Sequence, residues 1–488
     1  MKKKSMHSVT VRLTAIALAA AAFLSGCSFT PAYHRPDTPE PPKFKELEGW
    51  VPAAPADALE RGPWWTLFGD PVLNDLAGQV QVSNQNVAAA VAAYAQARAL
   101  VAEQRAELWP SATLSLSGDR SGTKAGNSST TVTSNGTVIG GGGRGNIANN
   151  YRLQLGGSWE PDVWGRLRAG VNAAQFNAQA SAADLAAATL SAQGELAADY
   201  VSLRSIDAQR DLLRASIEGY QRVLKYTQNR YDVGIAPHSD VYQAQTTLSN
   251  AQADEVQLAN QRAQLEHAIA VLIGKAPADV TIAPAKWAPT VPDVPVGVPS
   301  LLLQRRPDIA GAERRVAAAN EQIGIARSAY FPSVNLSGSY GTSGSVVSDL
   351  FRASNAAWTY GLSAAQTAIN FGALRAAVES TRAAQDEAAA RYRQTVLTAF
   401  ADVEDQLSAT RILVQQQELQ RQASEAADKV EEQVLNRYKA GQVDYSQVVQ
   451  AQVTALSARR ALVQTQGSRQ STAVALIQSL GGGWHAEQ

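Results

Sequence analysis

Apolar residues along this chain follow two periods, and the pair of periods occurs twice. In residues 111–119, Leu114 and Leu116 alternate with Thr113, Ser115 and Ser117; in 151–160, Tyr151, Leu153, Leu155 and Trp159 oppose Arg152, Gln154, Ser158 and Glu160. In 333–341, Val334, Leu336 and Tyr340 alternate with Asn335, Ser337 and Ser339; in 357–366, Trp358, Tyr360 and Leu362 oppose Thr359 and Ser363. Period two with one apolar face predicts four strands. Hydroxyls, amides and charges on the other face suit a water-filled lumen with the apolar face on lipid, although a half-solvated soluble sheet gives the same alternation. Four strands cannot close around water, so several chains must contribute, and three would give twelve.

The second period is helical. Asp75 to Leu108 and Asp308 to Tyr330 are alanine-rich and proline-free, and they stop at Trp109-Pro110 and Phe331-Pro332. After the second strand of each set, Asp162 to Tyr231 and Phe371 to Tyr438 run without proline for about seventy residues, or about 100 Å. Leu196, Tyr200, Leu203, Ile206, Leu213 and Ile217 recur mostly at three- and four-residue steps, as do Val396, Phe400, Val403 and Leu407. These are coiled-coil seams, with Gly194 and Gly219 as the positions where a local break could fall. Each long helix turns at Gly234 or Gly441 and returns over Ser239 to Ile273 or Tyr445 to Leu480. Hairpins this long bury too little alone, which predicts a multi-helix tube.

A tandem duplication underlies both periods. Asn229-Arg230-Tyr231-Asp232-Val233-Gly234 is echoed 207 residues later by Asn436-Arg437-Tyr438-Lys439-Ala440-Gly441, and Gln243-Ala244-Gln245 by Gln450-Ala451-Gln452. Gly165, Leu167, Arg168 and Gly274 map to Gly372, Leu374, Arg375 and Gly481 at the same offset. The expected organisation is a first repeat over 70–275, with strands 111–119 and 151–160 and hairpin 162–273. A proline-rich linker over 276–300 joins it to a second repeat over 301–482, with strands 333–341 and 357–366 and hairpin 371–480. Residues 483–488 form a tail, and the glycine- and serine-rich span Asp119 to Asn150 is a long loop. Trp50, Trp64, Trp65 and Phe68 are expected to staple the N-terminal extension to the helices.

Processing signals change the picture. Lys2, Lys3, Lys4 and Arg12 precede a short apolar core, Leu13 to Leu24, and then Leu24-Ser25-Gly26-Cys27. This reads as a signal peptide over 1–26 and resembles the bacterial lipoprotein signal, which implies an acylated Cys27 and a lipid-anchored extension over 27–69. Cys27 is the single cysteine, so no disulfide forms within one chain. In the lipoproteins it resembles, an aspartate after the cysteine is an inner-membrane retention signal, so Ser28 implies the outer membrane. Removing the leader's four basic residues leaves 39 basic against 43 acidic ones, a balance that argues against nucleic acid. No later stretch is apolar for about 18 residues, so any crossing of a membrane must be made by strands.

Catalytic chemistry is not evident. His7, His34, His238, His267 and His485 are dispersed and form no metal-ligand spacing. Gly140 to Arg144 lacks the ending and context of a phosphate loop, and no nucleophile elbow occurs. The pairs Glu404/Asp405 and Glu431/Glu432 read as solvated helix faces. The expectation is therefore no enzyme, no metal and no cofactor beyond covalent lipid on Cys27. A lipid-anchored coiled-coil periplasmic adaptor or structural protein is the alternative.

The Leu24-Ser25-Gly26-Cys27 signal, the duplicated unit, Leu303-Gln304-Arg305-Arg306-Pro307-Asp308-Ile309 and the two Asn-Arg-Tyr-x-x-Gly turns together resemble the TolC-type outer membrane factors. The likeness is to their lipoprotein branch of OprM- and NodT-like efflux proteins. The resemblance implies an α+β membrane protein: a homotrimer whose twelve-stranded outer-membrane β-barrel continues as a long periplasmic α-helical barrel. It further implies the exit duct of a tripartite efflux pump, conducting passively and working with a periplasmic adaptor and an inner-membrane transporter of RND type. Gly234 and Gly441 would reverse the chain at the adaptor-contacting end. Arg437 and Tyr438 match the arginine and tyrosine that constrict such tunnels, with Asp240 and Asp444 as acidic partners. The Asp-Ala-Gln triplet of the family reads Gln450-Ala451-Gln452 here, so a charged ring at position 450 is absent.

Overall fold

The computed structural model describes residues 29–38, 41, 43–46, 63–122, 131–132, 138–139, 147–292, 294 and 305–483. Cys27, Trp50 and the Gly140 to Arg144 stretch lie outside them. In chain order the main elements are α1 (Pro71–Ser83), α2 (Gln85–Ala106), β1 (Ser111–Gly122), β2 (Ile147–Trp159), α3 (Arg166–Asp232), α4 (His238–Leu272), α5 (Pro307–Ser328), β3 (Ser333–Gly344), β4 (Ala356–Ala365), α6 (Ala373–Lys439) and α7 (Tyr445–Ser479).

Local chemistry sets the boundaries and corrects several expectations. The helix expected from Asp75 to Leu108 is two helices. Asn84 ends α1 and caps α2, its Oδ1 accepting from Asn86 N at 2.9 Å and Val87 N at 3.1 Å while its Nδ2 donates to the Leu272 carbonyl at 2.7 Å. The hairpin expected to begin at 162 begins its helix at Arg166, because the Asp162 carboxylate accepts from the backbone N–H groups of Leu167 and Arg168, each at 2.9 Å. Neither Gly194 nor Gly219 breaks α3. Gly194 instead leaves room for Gln478, whose side chain would meet an added Cβ at 1.7 Å. The loop expected from Asp119 to Asn150 is narrower, since Asp119, Arg120 and Ser121 continue the ladder opposite Asn150, Asn149 and Ala148.

The chain divides into two compact units, and neither is a repeat. One comprises Met1–His34, Ala97–Asn177 and Val316–Glu387. Its sheet has the order β1-β2-β3-β4, antiparallel throughout, two strands from each repeat. Leu114 faces Leu155, Leu155 faces Tyr340, and Tyr340 faces Trp358, so one sheet face is continuously apolar. Thr113, Ser115, Gln154, Ser337, Ser339 and Thr359 share the other. Phe29 stacks on Phe331 with ring centroids 4.3 Å apart, and Arg327 donates to the Phe29 carbonyl at 3.3 Å.

The other unit comprises Arg35–Gln96, Ala178–Arg315 and Ala388–Gln488. Leu196, Leu203, Ile269, Tyr392, Leu407 and Leu476 are among its fully buried side chains. Arg204 and Asp207, both 4 % exposed, form a buried ionic cluster with Arg262, whose Nε lies 2.6 Å from Asp207. This cluster also holds the segment between the repeats: Arg204 donates to the Ala283 carbonyl at 2.8 Å, Arg262 donates to the Ile282 carbonyl, and Ile282 N donates to Glu266. Gln470 continues the clasp through the Ala288 and Thr290 carbonyls. Charged donors here satisfy backbone acceptors that water would otherwise solvate. Of the acids expected to be solvated, Asp405 and Glu432 are exposed, but Glu404 and Glu431 have partners. Glu404 accepts from Lys45 N at 2.6 Å and Glu46 N at 2.9 Å, and Glu431 pairs with Arg459 at 2.8 Å.

Candidate functional site: the paired hairpin turns and the sheet

Both hairpins reverse through the same backbone device. Gly234 (φ +75) and Gly441 (φ +71) take the left-handed conformation that side chains disfavour. At the first turn Gly234 N donates to the Tyr231 carbonyl and Ile235 N to the Arg230 carbonyl, each at 2.8 Å; at the second, Gly441 N reaches Tyr438 at 3.0 Å and Gln442 N reaches Arg437 at 2.9 Å. These paired bonds are Schellman caps, which satisfy the last helical carbonyls and free the chain to turn.

The second turn packs on the first hairpin. Tyr438 is 2 % exposed, in an apolar cluster with Val223, Ala244, Tyr445 and Val448. Its ring meets Tyr445 at 5.3 Å and Tyr226 edge-on at 6.0 Å, and its hydroxyl lies 3.4 Å from Thr227 Oγ1. The Arg230 guanidinium stands 4.9 Å from the Tyr438 ring centre, and its Nη1 donates to the Tyr438 carbonyl at 3.3 Å. A cavity of about 260 Å³ opens beside this contact, lined by Arg230, Asp240, Tyr438, Gly441, Asp444 and Tyr445. Burial pushes the Asp240 carboxyl above the usual range, the Arg230 charge pulls it back, and Asp444 pushes it up again. Burial likewise raises the Tyr445 hydroxyl.

Within the chain, the arginine beside the two acids is thus Arg230, where the sequence pointed to Arg437. Arg437 is exposed and has no ion pair among the described residues. Its repeat position offered the missing signal, because Arg230 lies 207 residues before it in the same Asn-Arg-Tyr motif. Asp444 is exposed at the N-cap of α7 and its side chain caps nothing. Gln450 is exposed, with Nε2 3.4 Å from Thr454 Oγ1, whereas Gln452 of the same triplet is 3 % exposed. His238, not singled out for the turn, lies between the Tyr231 and Tyr242 rings at 4.5 and 4.2 Å.

The sheet supplies the other half of the site. Leu114, Leu116, Trp358, Tyr360 and Leu362 are each more than 60 % exposed, all on the apolar face. Exposed apolar area of that extent requires a nonaqueous neighbour. No helix among the described residues is long and apolar enough to cross a membrane. Among those residues no group of three or more His, Cys, Asp or Glu is placed to hold a metal.

Comparison with known proteins accounts for this combination. The family model described as outer membrane efflux protein matches residues 76–275 and 298–482. The chain is 31 % identical over 479 residues to the pyoverdine export outer membrane protein OpmQ of Pseudomonas aeruginosa, covering 96 % of this chain and 97 % of that one. It is 30 % identical to the probable efflux pump outer membrane protein TtgC of Pseudomonas putida, covering 97 % and 96 %. Among solved structures, the outer-membrane channel OprN superposes with TM-score 0.84 at 29 % identity, covering 94 % of this chain and 100 % of that chain. The open MtrE channel of Neisseria gonorrhoeae superposes with TM-score 0.81 at 26 % identity, covering 94 % and 99 %. The fold is that of the trimeric channels, with membrane-spanning strands and long periplasmic helices. The chain belongs to the outer membrane efflux protein family, and it is an outer-membrane exit duct of a bacterial efflux system rather than an enzyme.

Proposed function

We propose that this duct serves a tripartite pump as a homotrimer, receiving small molecules from an RND-type inner-membrane transporter through a periplasmic adaptor that docks on the Gly234 and Gly441 turns. The paired turns carry the reading. They close the longest helices, and they bring Arg230, Tyr438, Asp240 and Asp444 together where a modest change in contact would alter the bore. Conduction is passive, driven by the transporter. The gate comprises the Arg230–Tyr438 junction within each chain and Arg437 at its exposed flank, with Gln450 leaving it without a ring of carboxylates. Cys27 carries the acyl anchor that follows cleavage of residues 1–26.

The relatives' names include pyoverdine, antibiotic and toluene export, a breadth that favours weak selection by the bore. The hydroxyls and amides that dominate the polar sheet face support the same reading, since they offer hydrogen bonds to varied cargo. The test is expression in a host lacking its own exit duct, with accumulation measured for a panel of dyes and antibiotics. Gly234→Val and Gly441→Val should abolish export while leaving trimer yield unchanged, because a β-branched side chain resists the left-handed turn. Wild-type export by both variants at normal protein levels would remove the turns from the docking site.

A further inference from the structure

At the level where helices join strands, one aromatic contact links the two repeats within the chain. Trp164, between β2 and α3, lies against Phe331 at the entry to β3, with ring centroids 4.9 Å apart and planes at 27°. Its indole nitrogen donates to the Pro332 carbonyl at 2.7 Å. The repeat counterpart of Trp164, 207 residues on, is Phe371, and the counterpart of Phe331, 222 residues back, is Trp109. Phe371 is 100 % exposed and Trp109 74 %.

The correspondence is geometric as well as sequential. Leu108 N and Trp109 N close onto the Arg105 and Ala106 carbonyls as Tyr330 N and Phe331 N close onto those of Arg327 and Ser328. The Leu108 carbonyl accepts from Trp159 and the Tyr330 carbonyl from Gln366, again at matching positions. Under the same two offsets the β1–β2 register becomes the β3–β4 register residue for residue, Ser111 opposite Ser158 mapping to Ser333 opposite Ala365. The junction contacts within one repeat thus recur in the other, whereas the aromatic contact between repeats occurs there once. Its counterpart is left open on the edge strands β1 and β4.

Phe371 carries a second sign. With φ +51 it is the non-glycine residue in the left-handed region among the described residues. Such a conformation is strained for a side chain and persists where surrounding contacts hold it. Within the chain Asn370 bonds the N–H groups of Gly372 and Ala373 beside it, but the fully exposed Phe371 ring has no packing partner among the described residues.

We propose that Phe371 of one copy seats on Trp109 of the next, recreating between chains the Trp164–Phe331 junction, with β4 paired antiparallel to the neighbouring β1 in the β2–β3 register. Gly156 opposite Ser339 then becomes Ser363 opposite Ser117, and Leu155 opposite Tyr340 becomes Leu362 opposite Gly118. Apolar faces stay aligned across the seam. The same register sets Arg120, a charged residue at an apolar-face position of β1, opposite Tyr360, whose ring is a favourable neighbour for a guanidinium. A slip by one residue would instead bring polar positions onto the apolar face.

The inference rests on the trimeric reading, and the test separates the two. In the full-length protein, Ser363→Cys is combined with Ser117→Cys, or with Ser115→Cys or Asp119→Cys as pairs shifted by two, and oxidised trimers are run on nonreducing gels. Cross-linking should be strongest for Ser363→Cys with Ser117→Cys and absent from each single variant. In parallel, Phe371→Ala and Trp109→Ala should each speed trimer dissociation in detergent roughly threefold to tenfold, the range for an aromatic pair, with no further loss in the double variant. Phe371→Trp should retain wild-type dissociation. A wild-type trimer that cross-links best at a shifted pair, or additive Phe371 and Trp109 losses, would overturn the junction and leave the duct intact. A wild-type protein that migrates as a monomer while supporting export would overturn the trimeric reading beneath it.

Discussion

Replacing Arg230 with alanine tests whether the turn contact within each chain restrains the duct. The side chain contributes two interactions with Tyr438. A partly desolvated cation–π contact at 4.9 Å stabilises by about 1 kcal/mol, and a charged hydrogen bond to the Tyr438 carbonyl, long at 3.3 Å, adds about 1 kcal/mol. Together, about 2 kcal/mol corresponds to roughly a thirtyfold rise in the ratio of separated to joined hairpins. Loss of Arg230 also leaves Asp240 facing Asp444 without the cation that lowers its pKa. Burial, the largest remaining influence, and Asp444 then raise Asp240 against the smaller lowering by the Ser239 hydrogen bond, so its ionised form opposes the joined state. That opposition is full above the raised pKa and disappears as pH falls through it. Planar-bilayer recordings of purified Arg230→Ala trimers should show larger conductance than wild type at pH 7.5, with the difference shrinking towards pH 5. Arg230→Lys keeps a charge but not the planar stack and should fall between them. Arg437→Ala leaves the Arg230–Tyr438 contact untouched, so any rise it causes reports on contacts between copies. Wild-type conductance from intact Arg230→Ala trimers at both pH values would refute the reasoning.

Millimolar calcium or magnesium should block the wild-type pore weakly, and Gln450→Asp should strengthen that block by creating three aligned carboxylates in the trimer; strong wild-type block unchanged by the substitution would place the controlling acids elsewhere. Cys27→Ser should abolish palmitate incorporation in metabolic labelling and impair leader cleavage, and undiminished label would exclude that residue as the acylation site. Burial, with Glu195 one turn earlier, pushes the Asp199 carboxyl up to about 6, so its ionised form opposes folding above that pH and the penalty fades as pH falls towards 4. Asp199→Asn should therefore stabilise the protein at pH 7.5 by about 1 kcal/mol per chain after allowance for solvent screening, raising the melting temperature there but not at pH 4.

Much of this molecule is written locally. The alternation in β1 to β4, the proline-free helices, the aromatic-proline stops and the glycines that cap α3 and α6 each depend on a few neighbouring residues, so their positions follow from periodicity and backbone freedom. The duplication was legible for the same reason, as was the absence of a catalytic motif. What tertiary structure decided depends on which surfaces meet. Asn84 interrupts a helical run because its side chain can reach both the next turn and the Leu272 carbonyl. Arg230, not Arg437, stands over Tyr438 because the second turn packs on the first hairpin, a choice between equivalent motifs that no local pattern distinguishes. The compact units draw on both repeats because β2 pairs with β3. Each repeat leaves hydrogen-bonding edges and apolar helix faces that it cannot satisfy alone, so their partners are chosen by nonlocal packing.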